Sequence, residues 1–571
     1  MQKLLLLSLS LVIAGCASSP HSDSVGATDA DAAFDSLASK YLTGYLQWRP
    51  QIGTALGFHE YDGKLTDLSR PSLDAELARL KSFDQQLSAS DTKLLSTRAA
   101  YDYRILRNAI RREIFGFEQM QIHSQNPMTY ASTLDVNIYI KRNFAPLADR
   151  VHSIIAILNQ APQIMAAARA NLADSLPRPQ IETAIEQANG AADFLGKDLV
   201  GALKDFKNET LTSQFNAANQ RAIEELHGYV AYLKEQKVPK ANDHFALGRE
   251  KYAELLRHGE MVSLSPEELL EIGLRELRSK QQTFAESARL IDPNQMPIEV
   301  FRAIQKDHPT EQSLIPDTAK NLEMIRQFVI YHRIITLPSS VRAKVLETPQ
   351  FMRATSFASM DTPGPFETKA TEAYYYVTPV EPEWDAKHKE EHLRLYNPWV
   401  VGMINVHEAY PGHYLQFLYA PRFPTKTRKL ARSATNSEGW AHYAEQMAVD
   451  QGFGTGNPKV RLAQLQEALL RDCRYVVGIQ LHTAGWTVEQ GAALFVEQGF
   501  QEAANAYEEA RRGAYNPTYL YYTLGKLEIQ DLAREYMAKK HATLRQFHDA
   551  FVTQGPLPIP LIRQILLRQA G

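Results

Sequence analysis

The chain has 571 residues, 44% of them hydrophobic and 22% charged, with a formal net charge of −3. That length gives room for a large core and suggests two to four domains. The near-neutral balance argues against a nucleic-acid partner, which would require a clearly basic domain or stripe.

The first sixteen residues, MQKLLLLSLSLVIAGC, have the anatomy of a signal peptide. Lys3 precedes an apolar run, and small residues precede the cysteine. The run is shorter than the roughly 20 residues that span a bilayer. Its ending, IAGC, resembles the bacterial lipobox, so Cys16 is expected to be lipidated and to become the mature N-terminus. A plain secretory signal cut nearby is the alternative. Several acyl chains, at about 0.8 kcal/mol per buried methylene, would anchor the protein permanently. Ala17 after the cysteine resembles the sorting rule for the outer membrane, so the expected place is an outer-membrane lipoprotein facing the periplasm. Only Cys473 remains, and it has no partner for a disulfide.

Residues 17–33 are small, polar and unpatterned, and read as a flexible tether. From Phe34 onward, apolar residues recur at three- and four-residue intervals, in stretches such as 74–90, 150–176 and 180–206. In SPEELLEIGLREL, Ser265 is a candidate N-cap, with Pro266 in the first turn followed by acidic residues. Strand signals are sparse. AYYYVTP, residues 373–379, is the best, and the stretch 338–365 has room for one or two more. The expected fold is therefore mainly α: a large helical body with a small β-sheet next to a zincin-like active-site helix pair. A working division places a helical part at 34–245 and a chemistry-bearing part at 246–571, with no obvious linker between them.

The chemistry centres on NVHEAYPGHYLQ, residues 405–416. The zinc-protease motif H-E-x-x-H puts two ligands four residues apart on one helical face, with a glutamate base beside the first. Here His407 and Glu408 begin the motif, but the next histidine is His413, six residues on. At about 100° per residue, positions six apart point about 120° from each other. An unbroken helix could not bring both imidazoles to one ion. Pro411, however, lacks an amide hydrogen and clashes with the carbonyl of His407, and Gly412 permits unusual backbone angles. A bulge built on them could return His413 to the site.

Downstream, SATNSEGWAHYAEQM sets Glu438, His442 and Glu445 on one helical face. Zinc proteases of the glutamate-ligand type carry a third ligand on such a second helix, and a nearby partner orients a ligating histidine. SEGWAHYAE also resembles the NEGFA segment of aminopeptidase N-like enzymes, where that glutamate is the ligand. HKEEH, residues 388–392, matches an inverted zinc motif, but its charged surroundings read as a solvated helix face.

HEAYPGH and SATNSEGWAHYAE together resemble the bacterial family called domain of unknown function 885, whose pattern is H-E-x-x-P-G-H followed by S-A-T-x-E-G-W-A-x-Y-A-E. ALGFHEYDG near the N-terminus and SPEELLEIGLREL extend the likeness over nearly the whole mature chain. That family is grouped with thermolysin-like zinc peptidases of mainly helical fold. The resemblance implies one zinc ion per chain on His407, His413 and Glu438, with Glu408 as general base. Many members carry a second histidine where this chain has Tyr414.

The resemblance also selects His482, in RYVVGIQLHTAGWTVEQ, and Tyr522, in NPTYLYYTLGK, as further catalytic candidates. Either could donate a hydrogen bond to an oxyanion. Arg474 is a candidate for substrate binding. By analogy, AYYYVTP would be an edge strand pairing with extended peptide, Tyr374 and Tyr376 sharing one face. The expected activity is zinc-dependent hydrolysis of peptides in the cell envelope. A binding or scaffolding lipoprotein on the same fold is the second reading. Glu408 and the count of three ligands, where a structural zinc has four, argue against it. Hydrolysis of another amide, such as a cell-wall fragment, stays open.

Overall fold

The computed structural model describes residues 29–349, 353 and 358–568. Lys3, the expected lipidation site Cys16 and residues 17–28 of the expected tether lie outside them. Among the described residues the first helix is Asp29–Trp48, so residues 29–33, expected in the tether, are helical. Alanines are strong helix formers, and Asp29 and Asp31 suit the positive end of the helix dipole.

The chain is mainly helical with one small sheet. Ser265 and Glu268 form a reciprocal capping box with Pro266 in the first turn of the helix Pro266–Arg289, as the sequence leads one to expect. The stretch 150–176 divides into helices Leu147–Leu158 and Ala161–Asn171, the second with proline in its first turn.

One core is built almost wholly from residues 68–233, including Val151, Ile154, Ile181 and Leu226, and also takes in Ala370. Another gathers Met403, Val406, Trp440 and Phe551, and takes in Ile105. Polar ties cross the division at 245. The buried Arg428 Nε donates to Asp102 Oδ1 at 3.0 Å, Arg142 reaches Asp361 at 2.6 Å, and His59 Nε2 lies 2.9 Å from Glu367.

The sheet has strands β1 (Lys344–Glu347), β2 (Ala358–Asp361) and β3 (Tyr374–Val377), in the order β1-β3-β2. β1 runs parallel to β3 with Lys344 opposite Tyr374, and β2 runs antiparallel with Asp361 opposite the same tyrosine. This corrects the edge-strand expectation. β3 is the central strand, so both of its hydrogen-bonding edges are occupied and it cannot pair with a substrate. Tyr374 and Tyr376 do share a face, their rings stacked at 5.7 Å.

Two helices, Ala434–Asp450 and Tyr521–Lys540, approach backbone to backbone. A β-carbon on Gly525 would lie 1.9 Å from the Thr435 carbonyl oxygen, and one on Gly439 would lie 2.4 Å from Gly525 Cα. Only glycine fits at this crossing.

Candidate metal centre

The helix Pro398–Glu408 starts with Asn397 as its cap and carries His407 and Glu408 in its last turn. There it stops. Pro411 cannot donate a hydrogen bond, and the chain makes a wide loop. Gly412 N–H bonds the Val406 carbonyl at 3.0 Å, and Leu415 N–H bonds the Ala409 carbonyl at 3.2 Å. Each spans six residues where a regular helix would span four. Helical structure resumes with His413 as the first residue of His413–Tyr419. The loop absorbs the two extra residues, and the imidazoles of His407 and His413 meet edge-on, centroids 4.9 Å apart. Trp440 Nε1 donates to the Pro411 carbonyl at 2.8 Å, pinning the loop to the second helix.

That second helix, Ala434–Asp450, presents Glu438. Its Oε2 lies 3.8 Å from His407 Nε2 and 3.7 Å from His413 Nε2. Both separations exceed a hydrogen bond. Donors on a tetrahedral zinc with bonds near 2.0–2.2 Å stand about 3.4 Å apart, so the Glu438 oxygen is close to ligand spacing from each imidazole. Donor atoms of His407, Glu408 and His413 also lie within 4.8 Å of one another. Glu438 is nearer both imidazoles, which makes it the better third donor and leaves Glu408 beside the set.

Behind His407 stands Glu445, two turns on from Glu438. His407 Nδ1 donates to Glu445 Oε1 at 2.6 Å. This fixes the proton on Nδ1 and leaves the Nε2 lone pair facing Glu438 and His413. The other Glu445 oxygen lies 3.3 Å from His442 Nδ1. Arg471, from the helix Pro458–Thr483, sets Nη2 3.2 Å from Glu445 and donates from Nη1 to Glu467 at 2.7 Å. The donor set, its free lone pairs and this support fit a divalent cation of the zinc type.

The electrostatics agree. Burial, then the charge of Arg471, holds His407 well below its usual range, so it is a neutral imidazole. Burial pushes the Glu408 carboxyl up, and the Glu438 charge adds to the push. Burial alone would raise Glu438 and lower His413. Their mutual attraction outweighs it, bringing Glu438 down to about 2 and raising His413. Without a cation the pair carries a proton between them; a cation would take its place.

The structure brings Tyr522 to this centre. Its ring lies 6.5 Å from that of His407, with the guanidinium groups of Arg471 and Arg474 at 5.7 and 5.4 Å from the ring centre. Burial and the Glu438 charge raise its phenol, which stays a neutral donor.

Three other expectations are corrected. Arg474 donates from Nε and Nη2 to Glu509 at 2.7 and 2.6 Å; paired with that carboxylate and lying against the Tyr522 ring, it is placed as a brace for Tyr522. His482 follows Arg471 by eleven residues on the same helix, about 16 Å along its axis. Its Nε2 donates to the Gly513 carbonyl at 2.9 Å, and its ring stacks on Tyr252. His482 is a packing residue, away from the candidate donor set. Tyr376 faces Asp361 and Arg142. The neighbouring Tyr375, fully buried, is the one whose phenol feels the Glu408 charge. In the inverted motif, His388 stacks on Trp384 and His392 bonds the Thr378 carbonyl at 2.9 Å, and among the described residues these two gather no metal cluster.

The sequence reading passed over Arg471 and Tyr375. Arg471 is legible as one half of an arginine pair about one turn apart with Arg474 on the helix Pro458–Thr483. Tyr375 sat between the two tyrosines that were chosen, and only the sheet's orientation singles it out.

No curated protein matches the chain. A solved structure from Shewanella oneidensis, described as a candidate lipoprotein of unknown function, is 26% identical with a TM-score of 0.78, covering 94% of this chain and 100% of that one. Another, described as a candidate lipoprotein from Colwellia psychrerythraea, is 18% identical with a TM-score of 0.77, covering 94% and 99%. The model of the family "Bacterial protein of unknown function (DUF885)" matches residues 50–566, and the chain belongs to that family.

Proposed function

We propose that the protein is a zinc-dependent peptide hydrolase of the cell envelope, anchored by lipid on Cys16. One observation carries the proposal. A broken helix and its neighbour set one Glu438 oxygen 3.8 and 3.7 Å from the Nε2 atoms of His407 and His413, with the half-buried Glu408 beside them. Membership in the same clan as thermolysin and aminopeptidase N, suggested by the two ligand segments, belongs to this proposal. The lipoprotein description of both solved relatives supports the envelope location.

His407, His413 and Glu438 would hold the ion, one per chain. When bound, zinc supplies Lewis acidity to a water and to the scissile carbonyl. Glu408 takes the proton of the attacking water on its carboxylate as the new C–O bond forms, then passes it to the nitrogen as the C–N bond breaks. Its raised pKa suits both halves of that transfer. Tyr522 donates its phenolic hydrogen to the oxygen that gains charge, as an oxyanion stabiliser. Glu445 and Arg471 hold the His407 ring in its productive tautomer. A structural site has no use for Glu408 beside its ligands, and this favours catalysis over scaffolding.

The test is metal content of the mature chain, wild type and His413→Ala, with turnover of a quenched peptide library by wild type and Glu408→Gln. About one zinc per chain that vanishes with His413, and cleavage that vanishes with Glu408, are expected. A well-folded chain that takes up no zinc would overturn the reading.

A further inference from the structure

A cavity of about 520 Å³ opens beside the metal centre. Phe417 belongs to its wall and to the centre at once, its ring 6.4 Å from that of His413. Ser437 and Ala434, on the helix of Glu438, line it as well. Ala434 lies one helical turn from Glu438, about 6 Å, the reach of two extended peptide residues. The wall continues through Phe423, Val552 and Pro363, which is an apolar surface.

Its charges are of one sign. Arg112, Lys429 and Arg432 line the cavity, and among the described residues no aspartate or glutamate does. None of the three has a carboxylate partner among the described residues, although most arginines of this chain do. Lys429 only lies over the Phe366 ring, at 5.2 Å. Arg112 and Arg432 also border a second cavity of about 250 Å³, so they stand where the two meet. The acids nearby have closer partners of their own, although the Glu260 carboxyl also feels the Arg112 charge. Glu113 pairs with Arg49. Glu260 is fully buried behind the wall, accepting from Ser433, Thr435 and the Ala434 amide.

We infer that this pocket takes the carboxyl-terminal end of the substrate, so that the enzyme removes short fragments from peptide C-termini. This rests on the peptidase reading and names its substrate class. Unpaired arginines in a concave apolar setting are suited to recognising a carboxylate. A terminal carboxylate two or three residues beyond the scissile bond would reach them, while the apolar wall receives the side chains between. An amino terminus entering the same pocket would meet three like charges, which excludes it from this side.

The experiment measures binding, so that it does not depend on turnover. Mature Glu408→Gln protein loaded with zinc is titrated with fluorescent hexapeptides of one apolar sequence, ending in a free carboxylate or in a carboxamide. A third peptide carries an internal glutamate and an amidated end. Free-acid peptide is expected to bind at least about tenfold more tightly than the amide. The ratio should fall towards one in Arg112→Gln/Arg432→Gln, and should be reduced in Lys429→Gln. Equal binding of acid and amide peptides overturns the inference and leaves the peptidase reading standing. Tight binding of the amidated glutamate peptide also overturns it, assigning the pocket to an acidic side chain. Absence of binding by every peptide, with no cleavage by wild type, removes the peptidase reading and the inference with it.

Discussion

A β-carbon placed on Gly412 would stand 1.7 Å from the carbonyl oxygen of His407. The broken helix returns upon itself so closely that the first histidine's own backbone occupies the space a side chain would need. Backbone cannot yield as a flexible side chain can. Gly412→Ala is therefore expected to cost about 3 kcal/mol or more in stability, or to open the loop and separate the two histidines. Zinc stoichiometry and the urea midpoint, measured on the same preparation, check this; an alanine variant with native stability and full zinc content would contradict it.

Glu445 sets the His407 tautomer from 2.6 Å. Glu445→Gln keeps the shape but weakens the charge-assisted bond, and zinc affinity should fall by about 10- to 100-fold with the fold intact. A competing chelator series measures it. Glu445→Ala should be far worse, because it leaves the buried Arg471 without that partner, at a cost of about 3–5 kcal/mol.

In the proposed reaction Tyr522 acts through its hydroxyl, and its ring lies beside the guanidinium groups of Arg471 and Arg474. Tyr522→Phe preserves the ring and those cation contacts. We expect zinc content and KM to hold while kcat drops by about 10²–10³. Steady-state kinetics on one quenched peptide decides it, and an unchanged kcat removes Tyr522 from the reaction.

Two buried histidines outside the donor set should govern acid stability. His482 and His548 are buried and held down to about 4, chiefly by burial. His548 is satisfied as a neutral ring, donating to the Ile334 carbonyl at 2.8 Å and accepting from the Tyr443 hydroxyl at 2.8 Å. Their folded pKa values lie below the unfolded value of about 6.5, so the unfolded chain binds more protons between pH 6.5 and 4. Stability should therefore fall as pH drops through that window, by roughly 3 kcal/mol for each ring. Denaturant midpoints at pH 7 and 5 measure the slope, which should flatten in His548→Gln. His482→Gln should flatten it likewise and leave kcat at pH 7 unchanged; a large loss of kcat would return His482 to the active site.

Much of this protein was legible along the chain. Three- and four-residue periodicity marks helices wherever one face must be buried, and the Ser265 cap is a local contest between side chain and backbone, decided within one turn. His407, Glu408, His413 and Glu438 stand out as candidates by residue type and spacing, and Pro411 with Gly412 announced that the helix must break. Tertiary structure decided what spacing cannot encode. Whether the break brings His413 back depends on a loop pinned by Trp440 from another helix. Which strand is central depends on pairings between residues far apart in sequence, and that placed Tyr375, not Tyr376, towards Glu408. Arg474 and His482 looked alike as polar residues on one long helix. Their roles diverged because a helix advances about 1.5 Å per residue, carrying one into contact with Glu509 and Tyr522 and the other to the Gly513 carbonyl and the Tyr252 ring.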